Sequence, residues 1–271
     1  EGYDEFAGRA QLGFKSDNFE ALFNVHMRDL EGTARLFRAN MIEPGTNNVI
    51  AGFDRDKIAI DGQNSQELSQ FGANARLRWD FDGFSLHSIT GYESLDTFSR
   101  GDIDGGYGAS FLPTSGPGLI PFASESADGI PEHSQWTQEF RIESKNDSAL
   151  NWQAGVFYFN EDYKVESFSY DSLFTQALDG YQRIRQTNDS WAVFGAINWD
   201  VSDSFELRAG ARYTVDNKEL TVEDYWNNGF VPCVLSGKCT LAQLAAQEPD
   251  GDLSASPEDK KFSWDLSGTW K

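Results

Sequence analysis

The chain has 271 residues, 39% hydrophobic and 14% aromatic, with a formal net charge of -21. It contains no run of about 18 apolar residues, which excludes a membrane-spanning helix but not a spanning sheet, where only alternate residues meet lipid. So acidic a balance argues against nucleic acid as a partner, because phosphates call for a basic surface.

Period-two alternation starts at once. Phe6, Gly8, Ala10, Leu12 and Phe14 face one way and Arg9, Gln11 and Lys15 the other. After a short turn at Ser16 to Asn18, Phe19, Ala21, Phe23, Val25 and Met27 oppose Glu20, Asn24, His26 and Arg28, which predicts an antiparallel hairpin. Alternation lapses from about residue 31 to 67, a stretch expected to be a loop. It returns with Phe71, Ala73, Ala75, Leu77 and Trp79 against Asn74, Arg76, Arg78 and Asp80, turns at Phe81 to Gly83 and runs back through FSLHSITGYESLDTF. Residues 99–133 cluster Gly and hold four of the eight prolines, so no ladder is expected there. A third hairpin joins SQWTQEFRIESK to NWQAGVFYFNEDYKVE near residue 148, and residues 167–186 form the next expected loop.

The clearest pattern spans residues 187–219. Trp191, Val193, Ile197 and Trp199, then Phe205, Leu207, Ala209, Ala211, Tyr213 and Val215, set an apolar face against Glu206, Arg208, Arg212 and Asp216. A fourth loop is expected over residues 220–260, followed by a ninth arm, KFSWDLSGTWK. The arms run to about a dozen residues where globular strands average about 5 to 6, and about 9 to 11 tilted residues cross a bilayer. Short connections near residues 17, 82, 148 and 202 alternate with long ones near 50, 115, 177 and 240. The predicted fold is therefore all-β, an antiparallel transmembrane β-barrel with short periplasmic turns and long extracellular loops. Nine arms is odd while bacterial barrels have even counts and must close, so the chain is expected to be part of a larger barrel, without a visible leader at its start.

The segments SLHSITGYESLDTF, SQWTQEFRIESK, NWQAGVFYFNEDY and SWAVFGAINWDVSDSFELRAGARYTVDNKEL resemble, in order and spacing, the barrel portion of TonB-dependent outer-membrane receptors. The resemblance covers roughly residues 68 to 220 closely and the rest by pattern. It implies a barrel of about 22 strands with a plug domain. It also implies active uptake of a scarce solute such as a ferric siderophore, cobalamin or oligosaccharide across the outer membrane of a Gram-negative bacterium. The expected partners are a TonB complex acting through the plug, outer-membrane lipid, the small-molecule or chelate solute, and a lid lipoprotein or another subunit at the mouth. Neither plug nor TonB box stands in this sequence, so residues 1–271 read as a partial barrel domain.

Solute-binding candidates fall in two groups. Arg76, Arg78, Arg141, Arg208 and Arg212 face the lumen, where they could guide an anionic solute or belong to an ion-pair lattice between wall and plug. Tyr107, Tyr225 and Trp226 stand in expected loops, where aromatics stack on a solute or fold the loop on itself. Cys233 and Cys239 would clip a short loop as a disulfide in an oxidising compartment, or stay free thiols. Asp102 and Asp104 begin a calcium-like loop that lacks the later oxygen ligands, the alternative being an ordinary turn. His26, His87 and His133 lie on separate segments and no GxSxG elbow occurs, so neither catalysis nor a cofactor is expected. The rival readings are a passive porin, an outer-membrane barrel enzyme and a secreted β-sandwich.

Overall fold

The computed structural model describes residues 2–34, 37–38, 41–43, 45–58, 60, 62–105, 124–145, 148–170, 178, 180–226 and 251–270. These form a single antiparallel sheet: β1 (Tyr3–Lys15), β2 (Phe19–Gly32), β3 (Ser65–Asp80), β4 (Phe84–Asp102), β5 (Glu125–Ser144), β6 (Leu150–Tyr170), β7 (Gly180–Ser202), β8 (Phe205–Trp226), β9 (Gly251–Ala255) and β10 (Glu258–Trp270). Each strand pairs with its sequence neighbour, except that β9 and β10 both pair with β8. Those two make one arm. Leu220 opposes Ala255 and Asn217 opposes Glu258, so the register carries through the break without a shift. Pro257 has no N–H to contribute to the ladder, although its carbonyl accepts from Lys218 N at 3.0 Å.

The register explains why this sequence forms this sheet. One row of neighbours across all nine arms reads Phe14, Ala21, Leu77, Ser88, Phe140, Val156, Val193, Tyr213 and Phe262. The row one residue along, on the opposite face, reads Lys15, Glu20, Arg78, His87, Arg141, Gly155, Phe194, Arg212 and Ser263. Neighbouring strands thus agree on which side is apolar, and a slip of one residue at any arm would reverse its faces.

The apolar series is not sealed against a second sheet. Phe14 is 57% exposed, Phe140 49%, Val156 48% and Phe262 63%. At about 25 cal/mol per Å², a stripe of this extent left in water would forgo a large part of the driving force for folding, whereas hydrocarbon satisfies it without burial in protein. This geometry rejects the β-sandwich.

Aromatic rings mark both edges of the stripe. Near the short turns, Phe14 meets Phe19 at 6.0 Å between ring centres, Phe19 meets Trp79 at 5.1 Å and Phe205 meets Trp270 at 6.1 Å. Farther up, Phe71 meets Tyr92 at 6.5 Å and Trp191 meets Tyr213 at 6.0 Å. Trp199 to Trp191, Phe205 to Tyr213 and Trp270 to Phe262 are eight residues each. That is about 27 Å along a strand. Tilted by about 40°, it spans roughly 20 Å, comparable with an apolar band about 25 Å tall.

The strands run farther than alternation suggests. β5 starts at Glu125 inside the stretch expected to hold no ladder, β6 continues to Tyr170, β7 begins at Gly180, β8 continues to Trp226 and β9 lies within the expected fourth loop. Pro131 is accommodated by a bulge. The register shifts against β4 between Ser94 and Thr97 and against β6 between Gly129 and Glu132, one extra β5 residue seen from both sides. Above the bulge, Glu125 and Ala127 therefore share a face with Arg100, Asp102, Phe168 and Tyr170.

Candidate functional site

The polar face has two chemically different sectors. On β1 to β5 it is charged. Lys15 pairs with Glu20, Arg78 Nε lies 3.0 Å from Asp80 Oδ1, and His87 Nε2 lies 2.9 Å from Glu143 Oε1. Arg141 reaches Glu139 at 3.5 Å and Glu143 at 3.8 Å. Around a cavity of about 460 Å³ stand Lys15, Glu20, Arg76, Arg78, His87 and Arg141. The structure thus brings three of the five predicted lumen arginines into one place.

On β6 to β8 the same face turns aromatic. Phe157, Phe159 and Phe194 interrupt the polar pattern, and Arg212 lies between two of them, its guanidinium 5.5 Å from the Phe157 ring centre and 5.8 Å from that of Phe194. Phe194 occupies the space left by Gly155, its register neighbour, where a Cβ would come within 2.5 Å of Phe194 Cζ. Arg208 joins Arg212 at a second cavity of about 270 Å³, with Gln153 and Asp265.

All three histidines bridge strands to a glutamate on this face. Besides His87, His26 lies 3.2 Å from Glu93 and His133 3.2 Å from Glu161. Asn188 donates to the other oxygen of Glu161 at 2.6 Å. These pairings did not appear in the reading of the sequence because the partners are tens of residues apart. Register supplies them: His26 and Glu93 flank Gly72, over which their side chains meet.

Above the aromatic edge, polar groups are buried. Arg100 Nε donates to Glu125 Oε2 at 2.6 Å while its guanidinium lies 3.8 Å from the Tyr170 ring centre, and Glu125 is 2% exposed. Asp102 accepts from Gly62 N at 3.2 Å and Gly105 N at 2.9 Å, and Asp104 accepts from Ser124 N at 2.9 Å. The calcium-like segment is thus a hydrogen-bonded turn, with Gly105 at φ 76. Among the described residues no three His, Cys, Asp or Glu are grouped to hold a metal.

Tyr225 stands in a strand, not a loop. It stacks on Tyr181 at 5.7 Å, which in turn meets Phe168 at 5.2 Å, with Leu178 closing the cluster. Tyr181 donates to Glu166 Oε1 at 2.6 Å. Burial, reinforced by that carboxylate, pushes the Tyr181 phenol well above its usual range. Burial opposes ionisation of Glu166 too, but the hydrogen bonds from Lys164 and Tyr181 outweigh it and hold the carboxyl below the usual value. Trp226 ends β8, with its side chain outside the described residues, as are Tyr107, Cys233 and Cys239.

No curated protein matches the chain. It matches the family "TonB dependent receptor-like, beta-barrel" over residues 3–271. Among solved structures it resembles the ferric yersiniabactin uptake receptor FyuA from Yersinia pestis, with TM-score 0.69 and 12% identity over 99% of this chain and 35% of that one. The closed form of the ferric-catecholate import receptor Fiu from E. coli K12 aligns with TM-score 0.57 and 10% identity over 99% and 41%. The open form of Fiu aligns with TM-score 0.53 and 12% identity over 98% and 44%. At such identities the likeness shows the fold, and this chain spans 35% to 44% of the length of those neighbours.

Proposed function

The chain belongs to the TonB-dependent receptor β-barrel family, and from that premise we propose that it forms part of the wall of an outer-membrane receptor for active uptake of a scarce solute, a ferric chelate foremost. The observation that carries the reading is the paired rows: apolar from Phe14 to Phe262 on one face, charged and aromatic from Lys15 to Arg212 on the other. A wall of this kind puts guanidinium and carboxylate groups at bilayer depth, where they are tolerable only beside water, a solute or a filling domain. The solved neighbours are uptake receptors for ferric yersiniabactin and ferric catecholates, which favours a ferric chelate as cargo.

In this proposal the extracellular loops capture the solute, a plug domain gates the lumen, and TonB supplies the coupling from the inner membrane. Further strands complete the barrel, because an open sheet edge in hydrocarbon leaves backbone groups unpaired at several kcal/mol each. The wall guides and binds, as a receptor and not as an enzyme. The test is uptake of radio-iron chelates by iron-starved cells carrying the complete gene, with and without TonB. Uptake that needs both supports the proposal. Uptake independent of TonB would instead make the barrel a passive pore.

A further inference from the structure

Among the described arginines on the polar face, Arg9 and Arg212 bond to the neutral side chains of Asn24 and Thr214, and three have a carboxylate within 4 Å: Arg28 has Glu5, Arg78 has Asp80, and Arg141 has Glu139. Arg76 has none among the described residues, and its surroundings explain why. Its register neighbours on either side are Leu22 and Ile89, both apolar although they lie on the polar face. Two carboxylates of the same face pair with other cations, Glu20 with Lys15 and Glu139 with Arg141. At the shared cavity Arg76 stands with three further cations, Arg78, Arg141 and Lys15, and one carboxylate, that of Glu20, which Lys15 engages. Arg141 adds a buried Nε that makes no hydrogen bond.

In a chain of net charge -21, a guanidinium that has no carboxylate and stands beside two other guanidiniums is unexpected. A guanidinium has five donors in a planar fork and no acceptor, so this arrangement asks for a planar oxyanion. We propose that the β2 to β5 wall holds an oxyanion subsite in which Arg76 is the primary donor, Arg78 and Arg141 flank it, and Leu22 and Ile89 receive an aromatic or apolar body carrying the anionic group. The oxyanion comes either from a passing solute or from a carboxylate elsewhere in the complete protein. This subsite rests on the placement of the side chains and does not require that transport be TonB-driven.

The test uses the full-length receptor purified in detergent at low salt, with trimesate, a benzene ring bearing three carboxylates, titrated by calorimetry. Its neutral trimethanol analogue and the distant variant Arg185→Gln are the controls. If the solute supplies the anion, trimesate binds, the neutral analogue does not, Arg76→Gln weakens binding about tenfold, and Arg76→Lys restores part of it, since one bidentate charged contact is worth roughly that factor. If the protein supplies it, wild type binds no trimesate, but Arg76→Gln lowers the melting temperature where Arg185→Gln does not. The sign is diagnostic, because removing a cation that no carboxylate bonds and that stands among other cations should leave stability unchanged or raise it. Trimesate affinity equal in wild type and Arg76→Gln, or no binding together with an unchanged or raised melting temperature, would overturn the subsite.

Discussion

The band between the two aromatic edges and the strand extensions above it are one continuous sheet held together in different ways. In the band, stability is distributed. Val156, Val193 and Tyr213 each contribute by facing hydrocarbon, and no single contact dominates. In the extensions water can reach both faces, the apolar contrast disappears, and order depends on a few desolvated polar contacts such as Arg100 with Glu125 and Tyr181 with Glu166. One sheet thus has a solvent-defined half and a contact-defined half.

The largest expected effect tests the upper half. Glu125→Ala leaves Arg100 without its carboxylate in a nearly closed site, at a local cost of about 3–5 kcal/mol. Faster hydrogen exchange at the tops of β4 to β6, with the lower strands unchanged, is the outcome; uniform exchange would mean that the halves are not separable. Next is the lower half. Val193→Arg puts a cation into the lipid-facing stripe at about 2–4 kcal/mol, while Thr187→Arg on the same face above the band costs close to nothing. Refolding into vesicles across a denaturant series separates the two, and equal costs would contradict the assigned depth.

Tyr181→Phe removes a donor to a carboxylate and should loosen the extensions by about 1–2 kcal/mol, read as faster proteolysis between β6 and β7. The smallest effect is with pH. Glu166 titrates below its unfolded value of 4.5, so its contribution is present above that pH and fades as pH falls through the lower folded value. Exchange at the top of β7 should rise as pH falls below 4.5 in wild type and respond less in Glu166→Gln.

This contrast also explains what the sequence revealed. Alternation encodes a difference between two solvents, so it located the band arms, their faces and the lumen orientation of Arg76, Arg78, Arg141, Arg208 and Arg212. It went silent at Glu125 to His133, at Phe168 to Tyr170 and at Leu220 to Trp226, where strands continue with water on both sides. Partnerships were less legible still. Nothing local links Arg100 to Glu125 or His133 to Glu161, and Tyr225 reads as a loop aromatic until the pairing of β7 with β8 sets it against Tyr181.

The extra residue beside Pro131 has a wider consequence. It works as a phase inverter in β5: the same strand obeys one parity where lipid judges it and the opposite parity where the Arg100 contact does. Flattening the bulge with every residue kept would leave every lower side chain where it is but rotate Glu125 away and bring Ser126 into its place opposite Asp102. A one-residue deletion there would do the reverse, removing the bulge while leaving the anchoring carboxylate between Asp102 and Tyr170.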